Sequence, residues 1–190
     1  GIEVHLNTVC TKERIEEIRP DALIVAIGSS PFVLPIEGSE RAIVAHDVLS
    51  EKVQVPGDNV VIIGGGLVGF ETAEFLAARQ KKVTVLEMKE KALQDLGPLR
   101  QITAQFAMAH MPITIETSAT VERIDDHVVV ASDKEYPYDS VIMAVGSKAN
   151  DTSMYANLGI PTYIVGDCKK AGVALDAFKD AYHAVLEINK

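Results

Sequence analysis

The order of apolar and polar positions predicts alternating strands and helices in the middle of the chain. Four consecutive apolar residues at Val60–Ile63 predict a buried strand, and the segment Leu67–Arg79 is expected to be an amphipathic helix. A second strand is predicted at Lys82–Glu87 and a second helix at Leu99–His110. Two parallel strands joined by a helix form a βαβ unit, whose crossover is right-handed. The pattern therefore indicates an α/β fold.

Shorter strands are predicted after the second helix. Ile113–Thr117, Ala119–Asp125 and His127–Ala131 alternate between apolar and polar residues and are expected to form a β-meander. The pair Asp125-Asp126 fits a turn between two of these strands better than a pair of catalytic carboxylates. Val141–Val145 then predicts a further buried strand.

The two ends of the chain show related patterns. Ile2–Asn7 predicts a short strand, the apolar run Asp21–Gly28 a buried strand, and Tyr163–Asp167 another strand that is closed by glycine. The helix expected at Val173–Ile188 has apolar residues three and four positions apart, which predicts one buried face. The stretch Ser29–Val55 lacks periodicity and is expected to connect two structural units.

Composition excludes several classes of function. A formal net charge of -9, with 18 Lys+Arg against 27 Asp+Glu, argues against a nucleic-acid partner, because phosphate binding needs a basic face. No apolar run approaches the roughly 20 residues of a membrane span, and no secretory signal is evident, so a cytoplasmic location without membrane association is expected. The five histidines lack metal-ligand spacing, and Cys10 and Cys168 form no Cys-x-x-Cys pair, so no metal site is expected.

A glycine-rich turn joins the strand at Val60–Ile63 to the following helix. It matches the pattern G-x-G-x-x-G with the residues Gly64, Gly65, Gly66, Leu67, Val68 and Gly69. In such a motif Gly64 allows the tight turn, Gly66 lets the backbone approach a pyrophosphate, and Gly69 lets the helix pack closely on the strand. The start of the helix then offers N–H groups to the phosphates.

An acidic residue follows at the expected distance from this turn. Glu87 closes the second strand, 18 residues after Gly69, where a carboxylate accepts hydrogen bonds from the adenosine ribose. Such a carboxylate repels the additional phosphate of NADP, so we expect a preference for NAD(H), with Lys89 as the one nearby indication to the contrary. The alternative is a turn tightened for packing and a solvated strand end. The order of strand, turn, helix, strand and acid favours the nucleotide interpretation.

Three further strand ends carry glycine, at Gly28, at Gly146 and at Gly166-Asp167. With the glycine turn, they make nearly the whole chain resemble flavoprotein reductases of the pyridine nucleotide-disulfide oxidoreductase type. The resemblance is to the C-terminal portion of 2,4-dienoyl-CoA reductase, 2-enoate reductase and NADH:flavin oxidoreductase-like enzymes. It implies a three-layer ββα FAD/NAD(P)-binding (Rossmann-like) domain. In that fold a parallel sheet has helices on one side and the β-meander on the other, and part of a second, similar domain accompanies it.

The resemblance also implies the cofactors and the residues that contact them. NAD is implied to contact the glycine turn, Glu87, Val145 and Gly146, with Glu71 near the nicotinamide. FAD is implied to contact Gly28, Gly166 and Asp167. No catalytic side chain is implied, because the cofactors carry the redox chemistry. Two alternatives stay open. Glu71, in the first turns of its helix, can simply interact favourably with the helix dipole, and Gly166-Asp167 can be a common Gly-Asp turn.

The resemblance divides the chain into an NAD-binding domain, residues 31–149, and part of an FAD-binding domain, residues 1–30 and 150–190. The family's other glycine motif, which holds the ADP part of FAD, is absent, so we expect upstream domains in a longer enzyme. Three functions remain: the NAD(H)-binding portion of a flavoprotein oxidoreductase in which NADH reduces FAD, a nucleotide-binding module without turnover, or a docking domain without ligand. An open sheet edge in the incomplete domain makes a homo-oligomer plausible.

Overall fold

The computed structural model describes residues 1–94 and 96–190. Its α-helices are α1 (Lys12–Ile18), α2 (Ala45–Leu49), α3 (Leu67–Ala77), α4 (Pro98–His110) and α5 (Ala174–Ile188). Its strands are β1 (Leu23–Val25), β2 (Ser29–Pro31), β3 (Ile43–Val44), β4 (Asn59–Ile63), β5 (Lys82–Leu86), β6 (Ile113–Glu116), β7 (Val121–Ile124), β8 (Val128–Ala131), β9 (Lys134–Pro137), β10 (Ser140–Met143), β11 (Ser147–Ala149) and β12 (Thr162–Ile164). No helix within the described part of the chain has the length and apolarity that crossing a membrane requires.

The chain divides into two compact units. The larger unit contains residues 31–146, and the smaller contains residues 1–30 and 147–190. The second boundary falls after Gly146 instead of after Ala149, because residues 147–149 form β11, which pairs with β2.

The larger unit is built on a five-stranded parallel sheet with the order β3-β10-β4-β5-β6. β4 lies at its centre, where Val61 is paired with Val141 on one side and with Thr84 on the other. Only the first residue of β4 is exposed. A strand with neighbours on both edges and cover on both faces needs apolar side chains at every position, which explains the run Val60–Ile63.

Alternate side chains of β4 point into two different cores, as the period of a strand requires. Val60 and Ile62 pack in one core with buried residues of α2, α3 and α4. Val61 and Ile63 pack in the other, with Ile124 of β7 and buried residues of β8. Helices therefore cover one face of the sheet and short strands the other, which confirms the predicted three-layer α/β fold.

The composition of the β-meander differs from the prediction. Residues 113–116 form β6, which continues the parallel sheet beside β5, with Val83 paired to Ile113. This segment follows α4 directly, so it completes a second βαβ crossover instead of beginning the meander. The meander consists of β7, β8 and β9, and the largely polar strand Lys134–Pro137 was not predicted. The turn at Asp125-Asp126 does join antiparallel strands, as predicted.

The smaller unit has a parallel pair of strands, β1 and β12, in which Val25 is paired with Ile164. Two predictions for this unit are wrong. Residues 2–7 form no strand, and Ile2 is 92% exposed. In α5 only Ala184 is buried, while Phe178 is 74% exposed, because a two-stranded sheet offers little apolar surface for the predicted face to cover.

Candidate functional site

The glycine turn connects the buried end of β4 to the first residue of α3. Gly64 has a φ of 107°, a conformation that residues with a side chain rarely adopt. A Cβ atom on Gly64 would lie 2.4 Å from the carbonyl oxygen of Ala144, and one on Gly69 would lie 1.9 Å from the carbonyl oxygen of Gly64. Both positions therefore exclude any side chain, and the helix starts in close contact with the sheet.

The N-cap residue of α3 is Gly66, which has no side chain with which to cap the helix. No other side chain within residues 1–94 and 96–190 accepts a hydrogen bond from this helix start. The first N–H groups of a helix have no partner inside it, and they lie at the positive end of the helix dipole. The side chains of Leu67 and Val68 pack against the core on the helical side of the sheet, so they do not cover the helix start. The arrangement is suited to an anion such as a pyrophosphate.

Glu87 lies directly beside the glycine turn. Its side chain is buried, with 8% of the residue exposed. Oε2 accepts a hydrogen bond from the N–H of Gly65 at 2.8 Å, and Oε1 accepts one from the N–H of Lys89 at 2.9 Å. A Cβ atom on Gly65 would lie 2.9 Å from the Cβ of Glu87, so the second glycine of the turn is required by this carboxylate.

The remaining predicted residues of this unit lie at the same edge of the sheet. β10 is adjacent and parallel to β4, so Val145 and Gly146 follow a strand that ends beside the turn. A Cβ atom on Gly64 would be 3.2 Å from the backbone nitrogen of Val145. Glu71 is exposed on α3, two positions after Gly69. In open parallel sheets, ligands bind outside the carboxyl ends of the strands, which is where these residues converge.

An ion pair joins α3 to α4 next to this edge. The guanidinium of Arg100 donates to both carboxylate oxygens of Glu74, with 3.2 Å between Nη1 and Oε1. This hydrogen bond raises the pKa of Arg100, because it favours the charged form of the guanidinium. The Arg100 guanidinium also lies 5.5 Å from the centre of the Phe70 ring. The start of α4 is thus fastened to the helix that carries the glycine turn.

Gly28, Gly166 and Asp167 lie in the smaller unit, at the carboxyl ends of its two parallel strands. Gly28 and Gly166 have φ angles of 71° and 66°. Oδ2 of Asp167 accepts a hydrogen bond from Oγ of Ser29 at 3.0 Å, and Oδ1 accepts one from the N–H of Gly172 at 3.3 Å. The three residues therefore come together within their own unit, and two of them are glycines that leave the backbone uncovered.

Sequence reasoning missed two contacts of the glycine turn. The N–H of Leu93 donates to the carbonyl oxygen of Gly65 at 3.0 Å, and the carbonyl of Ala144 closes on Gly64. The second contact is made by a backbone carbonyl oxygen, so the identity of residue 144 gave no signal for it. No motif in the sequence points to the first contact.

Known proteins match the chain over nearly its whole length. The profile of the pyridine nucleotide-disulphide oxidoreductases matches residues 2–172. Cinnamate reductase of Clostridium sporogenes is 34% identical over 198 residues, which cover 99% of this chain and 30% of that protein. NADH oxidase of Thermoanaerobacter brockii is 32% identical over 201 residues, which cover 99% of this chain and 31% of that protein. The chain thus spans about 30% of the length of these curated relatives.

Solved structures share the fold. In a complex of 2-naphthoyl-CoA reductase with 2-naphthoyl-CoA, the matched region has a TM-score of 0.85 at 32% identity and covers 96% of this chain and 29% of that one. An FAD-dependent pyridine nucleotide-disulphide oxidoreductase from Desulfovibrio vulgaris matches with a TM-score of 0.66 at 20% identity, over 90% of this chain and 54% of that one.

The parallel sheet, the three layers and the glycine turn define a Rossmann-like dinucleotide-binding fold. The chain belongs to the pyridine nucleotide-disulphide oxidoreductase family. A pyridine nucleotide and FAD, the two cofactors expected from the sequence, fit this family.

Proposed function

We propose that the larger unit binds NAD(H), with the pyrophosphate on the turn Gly64–Gly69 and the adenosine ribose on Glu87. The observation that carries the proposal is the uncapped start of α3, which follows a turn where Gly64 and Gly69 exclude side chains. Backbone N–H groups that have no acceptor among the described residues are suited to phosphate oxygens. In the same site, Val145 and Gly146 would contact the nucleotide, and Glu71 would lie near the nicotinamide.

We expect the site to prefer NADH over NADPH. The carboxylate of Glu87 is held by two backbone N–H groups, so it cannot turn away from a ligand without breaking hydrogen bonds. Its remaining acceptor capacity suits the ribose hydroxyls, whereas the 2′-phosphate of NADPH would meet a buried negative charge. Tighter binding of NADPH than of NADH would contradict this preference.

The smaller unit supports a flavin site of which it supplies a part. Gly28 and Gly166 present backbone without side chains at two neighbouring strand ends, and a Cβ atom on Gly28 would meet nothing within 4 Å. Asp167 is already oriented by Ser29 and Gly172. We propose that these residues contact FAD in a longer protein, in keeping with the share of the relatives that this chain spans.

In such a protein the two bound cofactors would supply the redox chemistry, a hydride transfer from NADH to FAD. The role of the residues of this chain is to bind and orient the nucleotide. The start of α3 holds the pyrophosphate, Glu87 fixes the ribose, and the backbone at Val145–Gly146 limits where the nicotinamide can lie. No side chain acts as a nucleophile, so catalysis by these residues is positioning. We propose that the chain by itself binds NADH without turnover, since it spans only about 30% of the length of its relatives.

Titration calorimetry with NADH tests the nucleotide site, with Gly66→Val as the disrupting variant. Gly66 has φ −81° and ψ −168°, an extended conformation that valine adopts readily, so the substitution adds a side chain at the turn without backbone strain. We expect it to abolish measurable NADH binding while the protein stays folded. Failure of the folded wild type to bind NADH would contradict the proposal.

Gly97→Val is the matched control. Gly97 is the N-cap of α4, with φ −63° and ψ 157° and no side-chain cap. A Cβ atom there would meet nothing within 4 Å. The two variants therefore make the same change at the start of two neighbouring helices, and only the one in the glycine turn should lose NADH. Equal losses in both variants would show that the effect is not specific to the turn.

A further inference from the structure

The carbonyl group of Gly65 is held by a residue that lies outside the glycine motif. Leu93 donates its N–H to this oxygen at 3.0 Å. Leu93 is 8% exposed and has a φ of 61°, which is uncommon for a residue with a large side chain. Backbone strain of this kind persists only where the surroundings enforce it. The contact with the glycine turn is therefore maintained against a local conformational preference.

Gln101 of α4 is one of the residues that hold Leu93 in this conformation. Its Nε2 donates to the carbonyl oxygen of Leu96 at 3.0 Å and makes a longer contact of 3.5 Å with that of Leu93. The N–H of Leu96 in turn donates to the carbonyl oxygen of Leu93 at 3.2 Å. One exposed amide side chain thus links the carbonyl groups of Leu93 and Leu96 to the first turn of α4.

Fixing the carbonyl of Gly65 also fixes the next N–H. The two groups belong to one planar trans peptide, so they point in opposite directions. With the Gly65 oxygen bound to Leu93, the N–H of Gly66 is directed away from Leu93. Among the described residues, no group accepts a hydrogen bond from it. Within that part of the chain it is a donor without an acceptor at the start of α3.

We infer that Gln101 is a positioning residue for the nucleotide, acting through Leu93 and Gly65 to orient the N–H of Gly66 toward a phosphate oxygen. The inference rests on the proposed NADH site, because the oriented group is one of its phosphate donors. Gln101 bonds to Leu93 and Leu96 and not to the glycine turn itself. Its effect is to reduce the number of orientations that the Gly65–Gly66 peptide adopts before a ligand binds, which favours affinity through preorganisation.

The test compares Gln101→Met with Gln105→Met. Both glutamines are exposed on α4, and methionine has a similar length and helix propensity without a donor. Calorimetry gives the Kd for NADH, and amide hydrogen exchange followed by NMR reports on the Leu93 N–H. For Gln101→Met we expect binding about threefold to tenfold weaker, the effect of one neutral hydrogen bond, together with faster exchange at Leu93. Gln105→Met should change neither quantity.

A rescue variant separates positioning from a general loss of stability. Gln101→Lys restores an N–H donor of similar reach, and Gln105→Lys corrects for the added positive charge. We expect the Kd of Gln101→Lys to return toward that of Gln105→Lys. Equal NADH affinity in the two methionine variants, or weaker binding without faster exchange at Leu93, would overturn the inference and leave the NADH site standing. If the folded wild type does not bind NADH, the proposed function fails and the positioning role fails with it.

Discussion

Glu87→Gln probes the carboxylate that connects the glycine turn to the end of β5. In the wild type, one oxygen accepts from Gly65 and the other from Lys89, at 2.8 and 2.9 Å. A carboxylate presents two acceptors, whereas an amide of the same shape presents one acceptor and one donor group. In the variant, one of the two backbone N–H groups must therefore face an NH₂ group.

The expected loss of stability follows from these two hydrogen bonds. A buried donor left without a partner costs about 1–3 kcal/mol, and the surviving bond weakens from a charged to a neutral acceptor by about 1 kcal/mol. Removing a buried charge relieves part of its desolvation, which offsets some of this loss. Because Glu87 is only 8% exposed, solvent screens little of the effect. We expect the free energy of unfolding to fall by about 1–3 kcal/mol.

Urea unfolding of Glu87→Gln, beside Glu90→Gln as an exposed control, measures this change. The control should lie within about 0.5 kcal/mol of the wild type, as is usual for surface substitutions. Calorimetry on the same two variants should show that Glu87→Gln binds NADH more weakly than the wild type. The preference for NADH over NADPH should also become smaller, because the variant lacks the negative charge beside the ribose. Unchanged stability and an unchanged ratio of the two Kd values would refute the role assigned to this carboxylate.

Two further predictions concern the frame of the site. Gly69→Ala places a methyl group 1.9 Å from the Gly64 oxygen, so it should lower the free energy of unfolding by about 1–3 kcal/mol, whereas Gly97→Ala should have a small effect; urea midpoints compare the two. The N–H groups of Asn59 and Asp58 lower the pKa of Asp139. This stabilisation is complete above the ordinary aspartate pKa of about 4 and is lost as the pH falls through the lower pKa of the folded state. Urea midpoints from neutral to acidic pH should thus fall less steeply for Asp139→Asn than for the wild type.

The central βαβ unit could be predicted because its signals are local. The apolar run of β4, the glycine turn and α3 follow one another directly along the chain. The pattern of each element is consistent with that of the element next to it. The acidic end of the second strand adds a fourth signal at a fixed distance. The proposed nucleotide residues of the larger unit were accordingly accessible from the sequence, and the fold brings them to one edge of the sheet.

The wrong predictions depended on contacts between distant segments. Whether residues 113–116 join the parallel sheet or the meander is decided by the free edge of β5, which the alternation of residues cannot reveal. The apolar spacing of α5 is real, yet its buried face requires a partner surface that the smaller unit does not supply in the described residues. Periodicity identifies which face of an element is apolar, and only the surroundings determine whether that face is buried.

The three consecutive glycines illustrate how much of this site is set by neighbours instead of by the motif. Gly64 is required by its own backbone angle and by the carbonyl of Ala144. Gly65 stands at a position where the motif accepts any residue, but here the side chain of Glu87 occupies the space of a Cβ atom. With its N–H bound to Glu87 and its carbonyl to Leu93, Gly65 has both of its polar groups committed. The turn is therefore oriented before any nucleotide arrives, by Glu87, which belongs to the motif, and by Leu93, which a motif search does not include.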